Sequence, residues 1–189
     1  MIASRLFIAL CLVWLVSELW LGWRRRSGDA ARTRDRGTLR MLLITIYACI
    51  ALAVWLSYQG WTRFPPALRT GLFSIGIVLM IAGMLFRAWA VRALADYFTV
   101  DVTIRPDHQL IRKGPYRWLR HPSYTGALAT FYGFALALGN VLSLLVIVLP
   151  VTAAFLRRIR IEEGVLADAF PEQYPAYARE TKRLVPFIW

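Results

Sequence analysis

Along this chain, long apolar runs alternate with short stretches crowded with arginine. The runs extend from Leu6 to Trp23, from Met41 to Trp61, and from Gly71 to about Trp89, with Arg87 near the end of the third. Each approaches the roughly 20 apolar residues that a membrane-crossing helix needs. A fourth run, Tyr124 to Leu156, holds 33 residues without a charged side chain. As one helix it would be ~50 Å long, against a hydrocarbon core of about 30 Å. Gly139-Asn140 near its middle is a turn signal, so the run reads as a hairpin, Tyr124 to Leu138 and Val141 to Leu156, with Pro150 bending the second arm. The pattern predicts an all-α integral membrane protein with five transmembrane helices, the last two a helical hairpin. Residues 1–94 would hold the N-terminal helices. Residues 95–189 would form a core made of a connector (95–123), the hairpin (124–156) and a C-terminal segment (157–189).

Composition agrees: 58% of the 189 residues are hydrophobic, above the ~45–50% of soluble domains. The first run has only Arg5 as a basic start and no small-x-small cleavage site before "WRRR", so it reads as a retained helix and not a cleaved signal. The net charge of +12 raises nucleic acid as a partner, but the positions of the charges argue for topology. Segments Arg24–Arg40, Arg87–Arg120 and Arg157–Arg183 hold 20 basic residues, and they fall on one side if the helices alternate; only Arg5, Arg63 and Arg69 fall on the other. The positive-inside rule then places the N-terminus outside and the arginine-rich segments in the cytoplasm, against anionic lipid. No nucleic-acid partner is expected. Arginine outnumbers lysine 21 to 2, a usage that points to a GC-rich prokaryotic genome and a bacterial inner membrane.

Cys11 and Cys49 lie within apolar runs and read as packing residues, with no disulfide framework. His108 and His121 are the only histidines; without a third His or a nearby Cys, no metal is expected. Glu18, one turn before "WRRR", is placed to reach the interface or to pair with an arginine.

The remaining polar side chains gather in two blocks on the arginine-rich side. The first, Ala95 to Tyr124, is broken by Pro106, Gly114-Pro115 and Pro122, and its "FTVDVTI" alternates like a short extended segment. It reads either as an interfacial connector whose Tyr97, Tyr116, Trp118 and Tyr124 form an aromatic belt, or as part of a binding site. The second, Arg157 to Trp189, begins as a continuation of the last helix. There Arg158 and Glu162 stand i,i+4 on one face, with Glu163 beside them. That arrangement is either a solvated ion pair or a seat for a small cationic ligand. The hairpin brings the two blocks together at the membrane surface.

The text "DHQLIRKGPYRWLRHPSYTG", then a hairpin, then "RRIRIEEGVLADAFPEQYPAYARETKRLVPF" resembles the isoprenylcysteine carboxyl methyltransferase family, within the wider group of membrane methyltransferases that includes the phospholipid N-methyltransferases. The family pattern runs H-x-L, G-x-Y, R-H-P-x-Y-x-G, then R-x-x-x-E-E-x-x-L and F-x-x-x-Y-x-x-Y. The resemblance implies an S-adenosylmethionine site. It assigns His108, Gln109, Leu110 and Ile111 to the segment that lines the cofactor, together with Tyr116 and the turn His121, Pro122, Ser123 and Tyr124. Glu162 matches the carboxylate that holds the cofactor's amino-acid end, and Arg158 the arginine assigned to substrate and catalysis. Arg120 and Glu163 are secondary candidates. The implied activity is methyl transfer to a lipophilic, isoprenylcysteine-like carboxylate entering from the bilayer. Phospholipid or amine N-methylation and thiol S-methylation remain alternatives on the same fold. A nicotinamide-dependent membrane reductase, which would need more spans, and a non-catalytic scaffold fit less well.

Overall fold

The computed structural model describes residues 2–24, 37–95 and 110–186, which are helix, turn or irregular backbone apart from two isolated bridges, Arg63 with Asn140 and Leu119 with Lys182. Helix α1 spans Ile2–Arg24 and stops at the arginine cluster. Helix α2, Thr38–Gln59, lies between two left-handed glycines, Gly37 and Gly60. Helix α3, Pro66–Leu94, starts on a proline, which lacks only an N–H that the first turn leaves unpaired in any case. A 3-10 turn, Gly114–Arg117, leads to α4, Pro122–Ala137, again opened by proline. Helix α5 runs unbroken through Pro150 from Val141 to Ala169, and the short α6, Gln173–Glu180, follows.

The hairpin is present, with Gly139 in the left-handed region at its turn, but its arms are unequal. Helix α5 continues 13 residues past the predicted Leu156, carrying Arg158, Glu162 and Glu163 on one rigid rod. Helix α4 has 16 residues, about 24 Å at 1.5 Å per residue, short of a hydrocarbon core of about 30 Å. Pro122 and Gly139 bound it on either side. Among the described residues four helices, α1, α2, α3 and α5, are long and apolar enough to cross a membrane, one fewer than the sequence pattern predicts. The "FTVDVTI" stretch, expected above to be extended, and His108 and Gln109 lie outside the described residues.

Two antiparallel helix pairs stack on each other, α3 against α4 and α2 against α5. The first contact depends on glycine. A Cβ at Gly83 would meet the Gly126 carbonyl and the Thr130 nitrogen at 2.6 Å, and one at Gly76 would meet the Gly133 carbonyl at 2.6 Å. The two backbones therefore touch directly at two points seven residues apart, the small-residue packing by which membrane helices gain close contact. At the end remote from the arginines, the turn between α2 and α3 is latched to the hairpin turn. Asn140, 1% exposed, donates to the Trp61 carbonyl and accepts from Thr62 and from the Ser143 amide. Val141 N–H donates to Thr62 O, and Phe64 N–H to Gly139 O. Helix α1 leans on this core through rings: Trp14 meets Phe131 edge-on at 4.9 Å, and Phe7 contacts Phe73 at 5.9 Å and Phe134 at 6.0 Å.

Candidate active site

At the arginine-rich end, the chain before α4 and the chain after α6 run side by side. Arg120 N–H donates to Lys182 O, Lys182 N–H to Trp118 O, and His121 N–H to Arg183 O. The Tyr177 hydroxyl donates to the Tyr116 and Leu119 carbonyls. The "GPYRWLRHPSY" stretch is thereby folded into a compact turn that an ordinary helix could not make.

Within it the two glutamates have different surroundings. Glu163 accepts from Arg120 Nε at 2.8 Å and from Arg183 Nε at 3.0 Å, and Arg183 Nη2 lies 2.9 Å away. Arg120 also donates to the Ala178 and Thr181 carbonyls. Glu162 turns toward a cavity of about 590 Å³, inside the usual range of small-molecule sites. Its Oε2 accepts from the Tyr124 hydroxyl at 2.8 Å, and that hydroxyl accepts from Arg158 Nε at 2.9 Å. Arg158 is 2% exposed, and its Nη1 donates to Thr38 Oγ1 at 3.1 Å across on α2. The result is a directed chain, arginine to tyrosine to carboxylate.

Leu110, Ile111, Tyr116, Arg120, His121, Ser123, Tyr124, Arg158 and Glu162 all line the cavity, while Pro122 opens α4 behind them and Glu163 faces away into its arginines. The structure therefore brings together the predicted site residues that it describes, apart from Glu163, which buttresses. Arg120 does both, touching the cavity and bracing the turn. His121 stacks on Tyr124 with ring centroids 5.6 Å apart. Its buried Nε2 faces the Glu163 carboxylate at 3.4 Å, while the buried hydroxyl of Tyr174, another lining residue, has no hydrogen-bond partner. Burial pushes the phenols of Tyr116, Tyr174 and Tyr177 well up, with the Glu162 charge adding to the effect at Tyr116, so these rings stay neutral. Aromatic faces beside a carboxylate suit a cation with an amino group.

Several members of the site escape sequence reading. Thr38 meets Arg158 only because α2 packs on α5. Glu18 receives Arg87 as a two-pronged pair, at 2.6 and 2.8 Å, and Arg87 also donates to the Ser123 carbonyl and hydroxyl. That pairing of Glu18 with an arginine was expected in kind, but the partner sits 69 residues away. Tyr174 and Tyr177 stand in the quoted F-x-x-x-Y-x-x-Y pattern, which was the available signal. Among the described residues no three His, Cys, Asp or Glu side chains gather as a metal site.

The other end of the cavity is apolar, walled by Cys11, Trp14, Ile46, Ile50, Phe131 and Phe134. Fold and site thus define a helical membrane protein with an amphipathic cavity, charged and aromatic at the surface and hydrocarbon-like within. A family model described as phospholipid methyltransferase matches residues 72–173. Over 156 residues the chain is 32% identical to protein-S-isoprenylcysteine O-methyltransferase B of Arabidopsis thaliana, covering 80% of this chain and 79% of that one. It is 34% identical over 128 residues to the Saccharomyces cerevisiae protein-S-isoprenylcysteine O-methyltransferase, covering 66% of this chain and 54% of that protein. The solved structure of the eukaryotic intramembrane Ras methyltransferase, isoprenylcysteine carboxyl methyltransferase, matches with a TM-score of 0.66 and 33% identity, over 75% of this chain and 52% of that one. The chain spans about half the length of the yeast protein and of the solved structure. It belongs to the isoprenylcysteine carboxyl methyltransferase family, within the phospholipid methyltransferases. These relatives are eukaryotic and lend no support to the bacterial inner membrane inferred from arginine usage; a multi-pass membrane protein is what stands.

Proposed function

We propose that this chain transfers a methyl group from S-adenosylmethionine to the carboxylate of an isoprenylcysteine-like acceptor at the membrane surface. The observation that carries the reading is the amphipathic cavity with the Arg158–Tyr124–Glu162 chain at its polar end. S-adenosylmethionine, when bound, supplies an electrophilic methyl on a sulfonium. Glu162 holds its amino group, and Tyr116, His121, Ser123 and Tyr124, with Leu110 and Ile111, surround the rest. His108 and Gln109 belong to the same segment by resemblance. The buried Tyr174 hydroxyl, which has no partner, is a group that a polar ligand would satisfy, since buried polar atoms rarely stay unpaired.

An acceptor carboxylate is already an anion and needs no general base. The protein's task is to align its oxygen and to exclude water. Arg158, its plane fixed by Tyr124 and Thr38, positions that carboxylate, and the apolar arm takes the lipid. Membrane lipid surrounds the rest. For topology, α4 is the fifth crossing, completed by the polar turn at its start. The N-terminus is outside, and the connector and C-terminal segment are cytoplasmic. Reporter fusions at positions 30, 65, 105 and 189 would then read inside, outside, inside and inside; an outside signal at 105 overturns this arrangement.

A second reading is N-methylation of a lipid amine, suggested by the phospholipid methyltransferase model that matches residues 72–173. Against it, Arg158 places a fixed cation beside a basic substrate. The deciding experiment offers labelled S-adenosylmethionine with farnesylcysteine, phosphatidylethanolamine or small thiols. Base-labile label on farnesylcysteine is expected, as an ester requires; label confined to the amine or the thiol overturns the proposal.

A further inference from the structure

Four aromatic residues before the hairpin fit an interfacial belt by sequence, and the structure divides them. Tyr116 and Tyr124 line the cavity, and Tyr97 lies outside the described residues. Trp118 instead turns outward, 50% exposed, with the Arg117 guanidinium over its ring at 5.7 Å. Neither Arg117 nor Trp118 lines the cavity, so the methyl-transfer reading leaves both without a task.

Neighbouring helices give the depth of this ring. The Glu18–Arg87 pair sets α1 and α3 at one level, and Arg87 reaches Ser123 at the start of α4. Just past that level, toward the arginine-rich end, α1 carries Trp20 and Trp23 and α3 carries Trp89, all exposed. Gly114 opens the turn that holds Trp118 and packs on α3, where a Cβ would meet Ala93 at 3.3 Å and Trp89 at 3.7 Å. Indole rings at one level around a membrane protein mark the headgroup boundary, where an amphipathic ring is most at home.

The exposed charges near Trp118 share one sign. Lys113, Arg117 and Lys182 are all exposed. The Lys182 N–H donates to the Trp118 carbonyl, which lays the chain after α6 along the turn, and Val185, 43% exposed, follows on that chain. Glu163 and Glu180, the acids flanking it, are taken by Arg120, Arg183 and Arg112.

We propose that Arg117, Trp118, Lys182 and Val185 form a foot that rests among anionic lipid headgroups beside the turn before α4. The indole lies at the boundary of headgroup and acyl chain, and the two cations meet lipid phosphates. Arg120 and Arg183, next along the same two segments, enclose Glu163, so the leaflet grips both segments that brace the site. The foot requires the membrane placement but no particular methyl acceptor.

The test uses the full chain in lipid nanodiscs. Trp118 emission is taken as the difference between the unaltered protein and Trp118→Phe. Lipid brominated near the glycerol end of its chains should remove most of that difference, and iodide in the buffer should leave it in place. Photoactivatable phosphatidylglycerol and phosphatidylcholine are then compared by the label each leaves on the peptides bearing Trp118 and Lys182. The anionic lipid should label more, and the ratio should fall about fivefold in Lys182→Gln, the effect of one basic residue near an anionic surface. Adding Arg117→Gln should lower it further, and both variants keep the indole. An emission difference quenched by iodide and not by brominated lipid overturns the proposal and gives the patch to an aqueous partner. Quenching by neither also overturns it and gives the patch to a second copy of the chain. Equal labelling by the two lipids, or a ratio that the glutamine variants leave unchanged, overturns it too.

Discussion

The two sides of α5 at its polar end carry adjacent carboxylates in opposite circumstances. On one side Glu163 is enclosed by Arg120 and Arg183 and closes a lattice that joins the turn before α4 to the chain after α6. On the other, Glu162 borders a cavity, accepts from the Tyr124 hydroxyl and has His121 Nδ1 3.9 Å away. The same residue type, one position apart, thus ties the fold together on one face and borders the cavity on the other. What differs is the partner set, since a carboxylate surrounded by guanidinium groups has little capacity left for a ligand.

Substitutions sharpen or break that comparison. The largest effect belongs to the cavity face. Arg158→Ala should lower turnover on a prenylcysteine by about a thousandfold, the scale of losing a fixed donor to a reacting group. Arg158→Lys should recover little, because lysine lacks the planar fork. Cofactor affinity measured by calorimetry in the same variants should change much less; full turnover in Arg158→Ala would remove the arginine from the reaction. On the architectural face, Glu163→Ala leaves two partly buried arginines without their anion. It should cost about 3 kcal/mol of stability, seen as a lower unfolding temperature in detergent with little selective loss of cofactor binding. Glu162→Gln should reverse that signature: an unfolding temperature near that of the parent, with S-adenosylmethionine affinity down about tenfold, as for a lost charge-assisted hydrogen bond. If the two glutamine and alanine variants behave alike, the two faces are not distinct. Thr38→Val removes one of the ties on Arg158 and should cost about fivefold in turnover, with cofactor affinity unchanged.

Much of the cavity's polar lining was legible in the sequence because its members are close in the chain or held in motifs. R-H-P-x-Y places His121 and Tyr124 on one helical start, and R-x-x-x-E-E places Arg158 and Glu162 one turn apart. The hairpin turn was readable from Gly139-Asn140 alone. What the sequence did not disclose depends on which helix meets which. Thr38 reaches Arg158, and Glu18 reaches Arg87, only after α1 and α2 dock. The seven-residue glycine spacing on α3 and α4 was visible in the text, but it acquires meaning only when the partner carries the same spacing. The shortfall of α4 has a simple cause: Pro122 and Gly139 fix its ends, and apolar composition says nothing of length once a turn has been placed.

The latch at the remote end bears on how the protein is made. Translation delivers the α2–α3 turn to the bilayer well before Asn140 is synthesised. Until then the Trp61 and Thr62 carbonyls lack the partners that the finished fold gives them, and unpaired backbone groups near hydrocarbon are costly. The turn between α4 and α5 supplies those partners, through Asn140 and the Val141 N–H. Neither turn satisfies its own backbone groups alone: each is completed only when the other lies beside it in the correct register.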